Sequence, residues 1–231
     1  MPYSEQFNLV QVAVPKTGTT SVVKTLYQLH ERHGGELTLV SEPVDRAFVK
    51  RYRLDALSDP LPGRAKHLSA AQLQLVLGDR YVQAFSFTFV RNPWARVVSR
   101  YRYNREEKRP EPGAKRTTLG ARRIFHDLDF MDWLREREQY VERKGGRQNQ
   151  IDKLTDAEGR ILVDFVGRLE SIQEGFATVC ERAGVEPVAV PHFNVTAKKA
   201  SYADYYDDWS RDLVAAWYQR DIEAFGYAFG Q

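Results

Sequence analysis

A single cysteine, Cys180, stands among the 231 residues, so no internal disulfide can form and no cysteine cluster can hold a metal. It sits in "FATVCERAG", where a small buried core residue is the expectation. No apolar run approaches the roughly 20 residues that a membrane helix needs. The amino-terminal "MPYSEQFNLVQVAV" lacks the basic start, apolar stretch and cleavage site of a signal peptide. A cytoplasmic, reducing setting is the expectation that follows. An excess of one charge is also missing. The 34 Lys and Arg against 31 Asp and Glu leave a formal net charge of +3, too mild to indicate a nucleic-acid partner. Neither internal repeats nor a low-complexity linker interrupts the chain.

Core material, by contrast, is plentiful. Hydrophobic residues make up 42%, with twelve Phe, twelve Tyr and four Trp, enough for one sizeable α/β domain with its own core. Val10, Val12 and Val14 suit a buried strand, and from Ser21 onward Val22, Val23, Leu26 and Leu29 recur at helical spacing. "ELTLVSEPVDRAFVKRYR" reads as a second strand and a helical piece. Ser69 with Gln72 three residues on marks a capped helix start. Phe85, Phe87 and Phe89 alternate as in a strand, and Asn92-Pro93 then supply a cap and a first-turn proline. Residues 104–150 change character: rich in Arg, Lys, Glu and Gly, with one amphipathic helix around "IFHDLDFMDWLRERE", they read as a basic insertion or cap. A buried strand is expected from Ile161 to Val166, and a strand-like piece in "EPVAV". One C-terminal helix would carry Leu213, Ala216, Trp217 and Ile222 and close at Gly226. Strands alternating with helices predict a three-layer α/β fold, a mostly parallel sheet flanked by helices.

Two strand ends carry the chemistry. After the first strand comes Pro15-Lys16-Thr17-Gly18-Thr19-Thr20-Ser21, a short hydroxyl-rich loop that runs into a helix. Such a unit gathers backbone N–H groups at the helix start, where the macrodipole favours an anion. Lys16 adds a mobile cation, and four hydroxyls add donors. The same residues also suit an ordinary strand-to-helix turn with a helix cap. After the "FTFV" strand comes Arg91-Asn92-Pro93-Trp94, with Ser99 one to two helical turns further on. Ligands of open α/β sheets bind beyond the carboxyl ends of the strands. Lys16 and Arg91 there suit two separate phosphate groups of one ligand, with Ser99 as a hydroxyl donor.

"VPKTGTTSV" and "FTFVRNPWARVVSRYRY" resemble the two phosphate-binding signatures of sulfotransferases that use 3′-phosphoadenosine 5′-phosphosulfate. The similarity is to the carbohydrate group, akin to chondroitin, dermatan and heparan 2-O-sulfotransferases, and implies a P-loop-like fold. It continues in "KHLSAAQL", "VDFVGRLESI", "PHFNVTAKKASYADYY" and "VAAWYQRDIEAFGYAFG", so it covers most of the chain as a single domain, 1–231. The resemblance implies that Lys16, Thr17, Gly18, Thr19, Thr20 and Ser21 surround the 5′-phosphosulfate. Arg91 and Ser99 would hold the 3′-phosphate. A loop over Asn194–Lys199 would close on the nucleotide through Thr196 and Lys198, or serve only as a helix lead-in. It also implies a saccharide or other hydroxyl acceptor, with adenosine 3′,5′-bisphosphate as product. Animal relatives are generally Golgi membrane proteins. A chain with its first strand close to Met1 and no anchor is expected to be a bacterial, cytoplasmic enzyme.

Sulfuryl transfer needs charge stabilisation on the departing phosphate and a base for the incoming hydroxyl. Lys16 suits the first task. No metal is expected, since "SFTFV" has no aspartate placed to hold Mg²⁺ as in P-loop nucleotidases. His67, just ahead of a helix start, is the candidate base, and a capping or surface histidine is the competing reading. His126 and His192 are its rivals, the first as a packed helix residue, the second as an organiser of the closing loop. The basic residues from Arg100 to Arg123 form either a solvated face or an acceptor groove. Trp94, Tyr101 and Tyr103 are candidates for stacking on sugar rings or for core packing. An ATP-dependent phosphotransferase is disfavoured because Lys16 precedes Gly18, the reverse of a Walker loop. A non-catalytic glycan-binding module is disfavoured by the intact lysine and hydroxyl loop.

Overall fold

The computed structural model describes residues 2–39, 42–57, 61–106, 128–144, 149–191 and 201–231. These fall into two compact units: Met1–Arg91 with Gln150–Thr196, and Asn92–Asn149 with Ala197–Gln231.

The first unit is an α/β body. Its strands are β1 (Pro2–Ser4), β2 (Leu9–Gln11), β3 (Thr38–Leu39), β4 (Phe85–Val90) and β5 (Phe165–Arg168). They form one sheet in the order β3-β1-β2-β4-β5. β2, β4 and β5 run parallel, with Leu9 opposite Phe85 and Val90 opposite Arg168. β1, between β3 and β2, is antiparallel to both its neighbours, a strand that the sequence pattern did not announce. The helices are α1 (Thr19–His33), α2 (Arg46–Tyr52), α3 (Ala70–Leu77), α4 (Asp79–Gln83) and, after β5, a long helix over Ile172–Arg182.

Strand alternation gives this sheet its two apolar faces. On one, Leu9, Phe87 and Phe89 pack with Val22, Leu26 and Leu29 of α1 and with Ile172, Phe176, Val179 and Cys180 of the long helix. On the other, Val10, Val12, Ser86, Thr88 and Val90 are equally buried, so both faces are covered. The Phe89 ring occupies the space above two glycines: a Cβ at Gly167 or Gly175 would lie 2.6 or 2.8 Å from its Cε1. This is the mostly parallel, helix-flanked α/β fold that the alternation of elements predicts, and it is P-loop-like as the resemblance implies.

The second unit is helical: α5 (Pro93–Glu106), α6 (Phe130–Lys144) and two helices over Asp208–Trp217 and Gln219–Phe225. The Ile172–Arg182 helix is α7 in chain order, and the last two are α8 and α9. Trp94, Val97, Val98, Tyr101, Phe130, Trp133, Leu134, Val214 and Trp217 form its core. Tyr101 and Phe130 meet edge-on at 5.3 Å, and Phe130 stacks on Trp133 at 6.2 Å. The buried Arg96 faces the buried Asp221 at 3.7 Å.

Three expectations change. The strand predicted over Ile161–Val166 begins only at Phe165, and Ile161 is exposed. The reason is local: the Asp156 carboxylate accepts from the amides of Glu158 and Arg160, curling the chain into a turn. Asp164 then binds the Ser86 amide and hydroxyl at 2.8 and 2.7 Å. "EPVAV" is no strand; Gln173 instead satisfies both backbone groups of Val190. The single C-terminal helix breaks in two at Tyr218, which leaves helical geometry at φ −121° and ψ 28°.

Candidate active site

The carboxyl ends of β2, β4 and β5 point the same way, so the residues that follow them meet at one edge of the sheet. Val12 still pairs with Phe87 at 2.8 Å, and the chain then turns through Pro15–Gly18 into α1. Lys16 and Gly18 both adopt the left-handed conformation, at φ 71° and 79°. For Gly18 this is inexpensive. For Lys16 it stores strain, a condition that clusters at functional loops. Close approach adds a second demand on Gly18, because a Cβ would lie 2.6 Å from Leu169 Cδ1.

The hydroxyls of this loop do not all face outward. Thr17 Oγ1 and Thr19 Oγ1 both donate to the Val14 carbonyl, at 2.9 and 3.0 Å. They therefore shape the loop, leaving their lone pairs but not their protons for a ligand. Thr20 is exposed and Ser21 is at the margin of burial. No side chain caps the start of α1. Its first-turn amides are thus suited to an anion.

Arg91 follows β4 directly. Its guanidinium Nη1 donates to the Lys16 carbonyl at 3.4 Å, so the two candidate phosphate-binding residues are neighbours. Its own backbone is held by Gln150, a buried residue that no motif in the sequence singles out.

His67 closes a 3-10 turn, Ala65–His67, which is anchored by a β-bridge between Pro43 and Arg64 and by the Ala65 amide on Glu42 O at 2.9 Å. Burial lowers its pKa from 6.5 to about 4, with the charges of Lys66 and Lys153 pushing the same way and a hydrogen bond to the Ala13 backbone opposing. Ala13 lies three residues before Lys16, so His67 stands on the chain that leads into the loop. Its Nδ1 is shut off from solvent without a hydrogen-bond partner among the described residues. The buried Lys153 donates from Nζ to the His67 carbonyl at 2.7 Å.

These residues suit a phosphate-bearing group: an uncapped helix start, Lys16 and Arg91 supply amides and positive charge at one place. Among the described residues no group of three or more His, Cys, Asp or Glu could hold a metal ion. None of their helices is long and apolar enough to cross a membrane.

Ser99 belongs to the second unit, in α5 and half-buried. Trp94 and Tyr101 lie in the aromatic core of that unit, which leaves Tyr103, half-buried, as the stacking candidate. The basic stretch is partly tied down: Arg102 Nε donates to Tyr205 Oη at 3.1 Å and Arg105 to Tyr101 Oη at 2.9 Å. Burial lowers the Arg100 pKa to about 10, helped by Arg137 and Arg96. Thr196, Lys198, His126, His192 and the basic residues from Lys108 to Arg123 lie outside the described residues.

A mostly parallel, helix-flanked sheet with cations and an uncapped helix at its carboxyl edge is the P-loop-like arrangement of a group transferase. The chain belongs to the sulfotransferase family, whose model matches residues 2–228, and its activity is that of a sulfuryl transferase with a hydroxyl-bearing acceptor. It is also similar to an uncharacterized protein of Archaeoglobus fulgidus, 27% identical over 99 residues, covering 43% of this chain and 67% of that one. No solved structure matches it.

Proposed function

We propose that the protein transfers the sulfuryl group of 3′-phosphoadenosine 5′-phosphosulfate to a hydroxyl of a carbohydrate or related acceptor. The observation that carries this reading is the pairing of the Lys16 loop with Arg91 at adjacent strand ends. Two cationic groups beside an uncapped helix suit one nucleotide with phosphates at both the 5′ and 3′ positions. Lys16 to Ser21 take the 5′-phosphosulfate and Arg91 the 3′-phosphate. By resemblance, Ser99, Thr196 and Lys198 complete the nucleotide contacts. The whole of 1–231 acts as one sulfotransferase domain.

The acceptor hydroxyl gives its proton to His67, and its oxygen forms a bond to sulfur. In the same in-line step the bond from sulfur to the 5′-phosphate oxygen breaks, and that oxygen keeps the electron pair. Lys16 neutralises the charge gained there, which leaves adenosine 3′,5′-bisphosphate as product. His67 is neutral at pH 7, as a base must be before it acts, and the negative charge of a bound donor would raise the proton affinity that burial lowers. No metal ion takes part in this scheme. A single cysteine, with no partner for a disulfide within the chain, suits a reducing, cytoplasmic setting.

Calorimetry tests the donor assignment. Wild type should bind adenosine 3′,5′-bisphosphate well above AMP and above ATP with Mg²⁺. Arg91→Ala should lose about 1.5–3 kcal/mol of bisphosphate affinity, the worth of a charge-assisted contact, with little change for AMP. Equal binding of the bisphosphate and AMP by wild type would overturn the reading.

A further inference from the structure

One short 3-10 turn, Ile151–Lys153, reaches two separate parts of the candidate site. Gln150, which precedes it, is fully buried. Its side-chain amide pairs with Arg91 in both directions: Arg91 N donates to Oε1 at 2.9 Å, and Nε2 donates to Arg91 O at 2.8 Å. A neighbouring strand would give the same pairing; here a side chain supplies it one residue past the end of β4. At the far end of the turn, Lys153 donates from Nζ to the carbonyl of His67 at 2.7 Å. The turn itself is braced, by Lys153 N on Gln150 O at 3.1 Å and Leu154 N on Ile151 O at 2.9 Å.

Burying an ammonium is expensive, and an apolar side chain of similar length serves packing alone at lower cost. Lys153 is only 5% exposed, and one of its contacts is the peptide that carries His67. Both contacts made by the turn are to main chain, so neither of them occupies the Arg91 guanidinium or the His67 ring.

We propose that the turn from Gln150 to Lys153 is a positioning bracket, which holds the backbones of the phosphate-binding Arg91 and the base His67 at a fixed spacing. The proposal rests on the roles given to those two residues above. Gln150 acts through Arg91, and Lys153 acts through His67.

Calorimetry on the full chain, with adenosine 3′,5′-bisphosphate and AMP as probes, tests it. Gln150→Ala should weaken the bisphosphate about tenfold, the worth of roughly one hydrogen bond. It should leave AMP unchanged, and add nothing further in an Arg91→Ala background. Lys153→Met should keep both affinities and lower turnover with an acceptor that wild type uses, and Lys153→Arg should restore part of the loss. Equal weakening of both nucleotides by Gln150→Ala would mean general loosening and overturn the bracket. So would an unchanged preference. Should Gln150→Ala not fold, Gln150→Glu keeps the acceptor for Arg91 N, loses the donor, and must show a smaller loss of the same preference. If Arg91→Ala alone leaves bisphosphate binding intact, the site reading falls and the bracket with it. If Arg91→Ala weakens binding and Gln150→Ala does not, only the bracket falls.

Discussion

Lys16 holds a left-handed backbone conformation, at φ 71°, without being glycine. The strain costs on the order of 1 kcal/mol or more. Lys16→Gly should therefore leave thermal stability equal or higher while removing most bisphosphate affinity, a combination that a purely structural lysine would not give. Gly18→Ala should do the opposite to the fold, losing about 1–3 kcal/mol, because it adds both strain and a clash with Leu169. Denaturant unfolding of the two variants reads both signs. His67 carries a pH signature. Its folded pKa lies near 4, below the 6.5 of the unfolded chain, so the native state binds fewer protons between those values. Its contribution to stability is full above pH 6.5 and is lost as pH falls toward 4. Unfolding midpoints across that window should fall less steeply in His67→Gln than in wild type. Turnover of His67→Ala should drop by about 10²–10⁴ with bisphosphate affinity retained. The loop was legible at this scale because Lys16 and Gly18 sit between a strand pattern and a helix pattern. The destination of its hydroxyls was not, since the Val14 carbonyl that receives Thr17 and Thr19 is itself a product of the turn. Gln150 and Lys153 were silent for a different reason: their partners are 59 and 86 residues away.

Helix starts were the most readable elements, because their signals are local. Ser69 and Gln72 form a reciprocal capping box at α3, with Gln72 N on Ser69 Oγ at 3.2 Å and Ser69 N on Gln72 Oε1 at 2.9 Å. Asn92 Oδ1 accepts from Trp94 N at 3.1 Å at the start of α5. Ser69→Ala should cost about 0.5–2 kcal/mol in urea unfolding, and a neutral result would remove the cap from the account. The box Asp207–Ser210 at α8 went unread, because Ser210 stands where the usual box has Glu or Gln. Strand ends were read less well. Apolar Ile161 and Leu162 imitate a strand start, yet the Asp156 turn and the Asp164–Ser86 contact delay pairing until Phe165. Alternation reports which faces can be buried, not where a side chain begins to compete with the ladder.

For the whole molecule, the family match spans residues of both compact units, 2–228. The α/β class and the basic strand ends were legible together because a parallel sheet must bring its carboxyl ends to one edge. No acidic residue follows the Lys16 or Arg91 loop at a metal-ligand position, so EDTA should leave turnover largely intact. Strict Mg²⁺ dependence would favour a phosphotransferase. Transfer of label tests the central claim most directly. The full chain is incubated in EDTA with 3′-phosphoadenosine 5′-phosphosulfate labelled in sulfur and a panel of saccharides and other hydroxyl compounds. The account predicts labelled sulfate ester on at least one acceptor, formed in step with adenosine 3′,5′-bisphosphate and lost in Lys16→Ala. Tight binding of the bisphosphate with no ester on any acceptor, or undiminished transfer by Lys16→Ala, would contradict it.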